Sequence, residues 1–191
     1  MALISAKTII TFLCLFHVTI GFFFINSPRT IADQAVVWVL GEAMGMPQDR
    51  HLGSRSSASA FLGVILAIVG ICDLVTLSLP EEFALVHHWG IQAPLRLTIS
   101  FFLVAYTFLA SSSSPVYSDA SREHIGSHPS ARQPNPSYIP SSWGGDGLKN
   151  RVFFAFMFVE LIGWFWTWVT LREEREAFML RKAKRRNSHS I

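Results

Sequence analysis

Charge is scarce in this chain: Asp, Glu, Lys and Arg make up 15% of its 191 residues, where an ordinary soluble domain carries about 25%. That shortage excludes a disordered regulator, which stays unfolded through high charge and low hydrophobicity, and it argues against a soluble enzyme. Cysteine is nearly absent. Cys14 and Cys72 both fall inside apolar runs, so the chain has neither a disulfide framework nor a cysteine-based zinc site. Common catalytic motifs are missing as well: no HExxH, GxSxG, P-loop or GxGxxG occurs, and no cofactor is expected. The adjacent His87 and His88 cannot both project from one helix face. Neither Asn26-Ser27 nor Asn135-Pro136-Ser137 completes a glycosylation sequon, so no glycan is expected.

What the chain does have is apolar bulk. Half of it is hydrophobic, with 16 Phe and 6 Trp, and its mean hydropathy is +0.35. The apolar residues gather into runs separated by polar stretches, the pattern of a chain whose solvent is lipid. A spanning helix needs about 20 mostly apolar residues, and four stretches supply them, at about 7–25, 58–79, 91–110 and 151–171. Pro28 and Pro80 stop the first two. The first ends on Phe22-Phe23-Phe24-Ile25, where a signal peptidase needs small residues, so it reads as a retained helix. Trp164, Trp166 and Trp168 fall at the end of the fourth run, the depth at which indoles favour the interface. The expected fold class is an all-α membrane protein with four transmembrane helices plus a short interfacial or re-entrant helix. That extra helix, about 30–46, opens on a Thr30-x-x-Asp33 capping box and is too short to span. Residues 111–150, rich in Ser, Pro and Gly, read as a flexible loop on the non-cytosolic side.

Orientation follows the basic residues. Four spans place both termini on one side, and the Lys and Arg there, with Arg96 just inside the third span, number nine against seven opposite. The tail, 172–191, holds seven of the nine and carries a net +4, so both termini are expected in the cytosol. Arg181, Lys182, Lys184, Arg185 and Arg186, following Phe178-Met179-Leu180, could hold anionic headgroups, each worth about 1 kcal/mol near such a leaflet. No zinc-finger spacing, RNA-binding aromatic motif or leucine heptad accompanies the basic run, which argues against nucleic acid as a partner.

Four ionisable residues fall at membrane depth, where each costs about 2.5–3.5 kcal/mol on insertion scales. At 1.5 Å per residue, Asp73 and Arg96 lie on consecutive helices about 8–9 Å inside the same surface, which allows an ion pair. The alternative has Arg96 reaching the headgroups while Asp73 bonds locally. His17 and Glu160 both fall about 15–17 Å deep, near the midplane, where they form either a structural clasp between the first and last helices or part of a cation path. Ala60, Gly63, Ala67 and Gly70 make a small-residue strip on the second helix, suited to close helix packing. Glu160, Gly163 and Thr167 share one side of the fourth.

The membrane parts of the chain carry a family likeness. Lys7-Thr8-Ile9-Ile10 leads through His17 to the Asn26-Ser27-Pro28 stop, and Phe158-Val159-Glu160-Leu161 lies in an aromatic last helix running into Leu171-Arg172-Glu173-Glu174-Arg175. With its size and four-helix layout, the chain resembles a fungal family, the "increased loss of mitochondrial DNA" proteins. The resemblance implies an integral endoplasmic reticulum membrane protein whose loss disturbs mitochondrial DNA maintenance, and it supplies no active-site residues. The expected function is therefore non-enzymatic: indirect support of mitochondrial DNA maintenance, as a subunit or assembly partner of a second membrane protein. A small cation or proton channel lined by His17, Glu160, Asp73 and Arg96 is the alternative, and a lipid enzyme comes third.

Overall fold

Three of the four spans begin where a short polar side chain satisfies the first free amides of a helix. The computed structural model describes residues 4–48, 55–80, 82–109 and 144–188. Helix α1 (Ala6–Asn26) starts at Ser5, whose hydroxyl accepts from the Thr8 amide at 3.2 Å. Helix α4 (Ser57–Thr76) starts at a reciprocal cap, with the Ser56 hydroxyl accepting from the Ser59 amide and the Ser59 hydroxyl from the Ser56 amide, both at 3.1 Å. The last span starts at Asn150, which accepts from the Phe153 amide at 2.8 Å. Four helices are long and apolar enough to cross a membrane, and no strand occurs among the described residues. The protein is an all-α membrane protein.

Between α1 and α4 the structure departs from one helix at about 30–46. Two short helices occur instead, α2 (Pro28–Ala32) and α3 (Ala35–Ala43). Pro28 takes the first helical position, where its missing amide costs nothing, so Thr30 lies inside α2 and is not a cap. Its hydroxyl meets that of Ser27 at 2.9 Å, while the Asp33 amide bonds back to the Arg29 carbonyl. α3 ends in a Schellman turn: Met46 N–H reaches the Gly41 carbonyl at 2.8 Å, Gly45 N–H the Glu42 carbonyl at 3.1 Å, and Gly45 has φ 63°.

The third span is longer than hydropathy alone marks. A π-helical segment, Glu82–His88, leads into α5 (Trp89–Leu109), which holds Pro94 in its interior. Proline removes the amide that would bond to the Gly90 carbonyl, and this helix absorbs the loss without ending. The Ser/Pro/Gly-rich segment is outside the described residues except near its end, where Gly144–Leu148 forms a 3-10 turn. The last helix, α6 (Arg151–Ser188), has 38 residues and a length of about 57 Å. It runs on past Leu171 because residues 172–188 contain no Pro or Gly and are mostly strong helix formers. The basic tail is thus a continuation of the span.

The helices associate as two pairs, α1 with α4 and α5 with α6, joined by α1 against α6. The α1–α4 seam is made by glycine. A Cβ on Gly21 would lie 2.6 Å from the Gly63 carbonyl oxygen, one on Gly63 would lie 2.6 Å from that of Gly21, and one on Gly70 would lie 2.7 Å from that of Cys14. Of the small-residue strip, Gly63 and Gly70 therefore face α1 directly, and Ala67 meets Gly21 beside them. Ala60, one turn earlier, is only half buried. Because the obstacles are backbone atoms, Gly63→Val must push the helices apart. The expected cost is about 1–3 kcal/mol, read as a lower melting temperature in detergent, with Val64→Leu on the exposed face of α4 as the silent control.

Candidate functional site

Asp73 and Arg96 are the first link of a buried polar chain that passes through all four spans. Asp73 is 6% exposed on α4, and Arg96 on α5 grips it with both arms of its guanidinium, Nη1 to Oδ2 at 2.5 Å and Nη2 to Oδ1 at 2.9 Å. A planar fork meeting a carboxylate in this way is the strong form of the interaction. The backbones of α4 and α5 otherwise approach each other little, so the pair ties one helix pair to the other.

Arg96 is held from behind by two indoles. Its guanidinium carbon lies 4.9 Å from the Trp164 ring centre and 5.7 Å from that of Trp89, and the two indoles stack on each other at 5.7 Å. Cation–π attraction of this kind strengthens where water is excluded, and Trp89 and Trp164 are 0% and 1% exposed. Trp164 thus belongs to the core and not to the interface where its position in the run would put it. Of its two neighbours in that cluster, Trp166 is exposed and Trp168 is half-buried beneath Arg172.

Trp164 also carries the chain onward. Its indole N–H donates to Glu160 Oε2 at 2.7 Å, one turn back on α6. The other carboxylate oxygen, Oε1, lies 3.1 Å from His17 Nε2 on α1. That contact is one of proximity, since the ring N–H does not point along it, and Oε1 and His17 Nδ1 have no hydrogen-bond partner. Glu160 and His17 are each 5% exposed. Phe156 closes over the pair, its ring centre 5.9 Å from both His17 and Phe16. On the same side of α6, Thr167 donates back to the Gly163 carbonyl at 2.8 Å, and Gly163 leaves room for Leu13 of α1.

The two ends of the bundle have their own ties. At the termini's end, the Ala6 amide donates to Glu174 Oε1 at 2.9 Å, joining the start of α1 to α6 beyond its apolar part. At the other end, Arg151 donates through Nε to the Met46 carbonyl at 2.7 Å and through Nη2 to Glu42 at 2.8 Å. Gly41 leaves space for the arginine stem. Neither this clasp between α3 and α6 nor the role of Trp164 emerges from the sequence pattern. Trp164 has a signal there, its spacing of four from Glu160 on one helix; Arg151 registers only as a charge. In the tail, Arg181 and Lys184 are exposed, and Lys182, Arg185 and Arg186 lie on the same helix.

The arrangement is a set of opposite charges and donor–acceptor contacts spent largely on one another. Such a chain holds helices in register where lipid gives no hydrophobic force between them. No curated protein and no solved structure matches the chain. A family model described as increased loss of mitochondrial DNA protein 1 matches residues 4–181, a stretch that includes every residue of the buried polar chain and both end clasps. The chain belongs to the increased loss of mitochondrial DNA protein 1 family.

Proposed function

We propose that this chain is a non-enzymatic membrane protein of the endoplasmic reticulum that supports mitochondrial DNA maintenance indirectly, as a subunit or assembly partner of a larger membrane complex. The family's name ties it to mitochondrial DNA maintenance. One observation favours a structural part in that process: the ionisable side chains at membrane depth contact one another, Asp73 with Arg96 and Glu160 with His17. A carrier of ions keeps its charged groups available to the passing ion; here they are engaged in joining helices. The basic end of α6 fits an attachment at the cytosolic face. Arg181 stands about 15 Å along the helix from Leu171, and anionic lipid headgroups at that face are the partner proposed for the basic run.

A second reading, a proton or cation channel, rests on two buried atoms without a hydrogen-bond partner, Glu160 Oε1 and His17 Nδ1. Purified protein in liposomes separates the two. The expected result is no cation or proton flux above empty vesicles, together with a stable partner on purification in mild detergent. A flux abolished by Glu160→Gln would establish the channel.

Cytosolic termini follow from the seven basic residues of the tail. A glycosylation sequon engineered near Ser127 is expected to be modified in the endoplasmic reticulum and one in the C-terminal tail to stay bare. The opposite pattern inverts the orientation.

A further inference from the structure

α4 and α6 both pack on α1 but barely approach each other. On the termini's side, the gap between the two helix pairs is closed by Asp73, Arg96 and the two indoles. On the other side it stays open as a cavity of about 530 Å³, within the range of about 300–1,000 Å³ typical of small-molecule sites. Phe16 and Phe24 of α1 form its floor, Leu66 of α4 and Ala155 and Phe156 of α6 its walls, and Val37 of α3 part of its roof. From Arg151 to Val159, the deepest position of α6 in the lining, the helix rises about 12 Å. That is close to one leaflet of a ~30 Å hydrocarbon core. The cavity therefore starts at the membrane surface and stops one residue layer short of His17 and Glu160.

Its polarity is graded. The deep part is aromatic and aliphatic, while Thr30, Gln34 and Asn150 stand at the surface end. Among the described residues, no charged one lines it. Two charges that flank lining residues in sequence are paired elsewhere: Arg29 with Asp33, and Arg151 with Glu42 and the Met46 carbonyl. Hydroxyl and amide groups without charge suit a head that bears hydroxyl or ester oxygens, and they offer nothing to offset the desolvation of a phosphate.

We propose that this cavity is a lipid site, which takes one hydrocarbon chain between α4 and α6 and holds the uncharged head of a diacylglycerol-type lipid at Thr30 and Gln34. A chain in this position bears on the Phe16–Phe156 ring pair, and through it on His17, so occupancy couples to the buried clasp.

The test uses the full chain in phosphatidylcholine vesicles containing a trace of diacylglycerol with a photoactivatable acyl chain, and in parallel the same chain on phosphatidylserine. Crosslinked peptides are located by mass spectrometry. The expected result is labelling of 153–159 and 20–24 by the diacylglycerol probe, several-fold above labelling of the outward-facing Ile99 and Leu109 of α5. Ala155→Trp, which fills the cavity from α6, is expected to remove that excess and leave α5 labelling unchanged. Leu66→Trp does the same from the more exposed wall, and it alone is read if Ala155→Trp fails to fold. Equal labelling of cavity and α5 overturns the site, as does an excess that survives a folded filling variant. A wall labelled as strongly by the phosphatidylserine probe overturns the assignment of an uncharged head.

Discussion

Replacing Asp73 by Leu alone, or Arg96 by Met alone, is expected to destabilise the protein far more than replacing both together. Each single change leaves its partner charged at membrane depth, where an unmatched charge costs about 2.5–3.5 kcal/mol and breaking a buried pair about 3–5 kcal/mol. For a chain of 191 residues that corresponds to a melting temperature lower by on the order of 10 °C. The double variant, Asp73→Leu with Arg96→Met, removes both charges while keeping apolar volume against Trp89 and Trp164. It is expected to recover most of the loss. Melting of the wild type, the two single variants and the double variant closes a cycle whose coupling term should be about 2–3 kcal/mol. Additive single effects would remove the pair as a structural tie. Arg96→Lys is expected to rescue little, because a single ammonium cannot span both carboxylate oxygens and stacks poorly on two indoles.

The depth of these residues is legible in the sequence because it depends only on rise per residue and on where apolar runs begin and end. Asp73 and Arg96 fall on one level by that arithmetic, as do His17 and Glu160, and each pair is in contact in the folded chain. Direction around a helix is a different quantity, and here the sequence carries less of it. Apart from the side that carries Glu160, Gly163 and Thr167, the run from Val152 to Leu171 is apolar and aromatic all round, so hydrophobic periodicity alone does not say which tryptophan turns inward. Trp164 can be picked out only through its spacing from Glu160, and nothing in that spacing shows that its indole links Glu160 to Arg96.

Helix ends show the same division. Pro28 stops α1 as its chemistry requires, yet the end of α6 lies well beyond Leu171, because leaving the membrane and ending a helix are separate events. The second depends on local propensity, and 172–188 continues to favour helix. The break between α2 and α3 at Asp33-Gln34 has neither Gly nor Pro to mark it. Tertiary contacts position α3, through Arg151 on Glu42 and on the Met46 carbonyl just past its end.

Glu160 is where structural and transport readings part most sharply. Its two oxygens face different helices, Oε2 toward the Trp164 indole and Oε1 toward His17. Glu160→Gln preserves the shape, keeps an oxygen to accept from the indole and adds an amide N–H to donate toward His17, so the bundle is expected to accumulate and melt as the wild type does. Glu160→Leu leaves the indole N–H buried without a partner, at a cost of about 1–3 kcal/mol, and takes away the carboxylate that packs beside the imidazole. Because Trp164 also stacks behind Arg96, that loss reaches the Asp73–Arg96 pair, and Glu160→Leu combined with Asp73→Asn should be non-additive. The pair of readouts is melting in detergent and maintenance of mitochondrial DNA in cells lacking the wild-type copy. A clasp predicts that the two fall together, intact in Glu160→Gln and impaired in Glu160→Leu. A proton or cation carrier predicts that they separate, since an amide can neither titrate nor neutralise a passing ion. Normal melting of Glu160→Gln with complete loss of maintenance would therefore displace the structural reading and put the channel in its place.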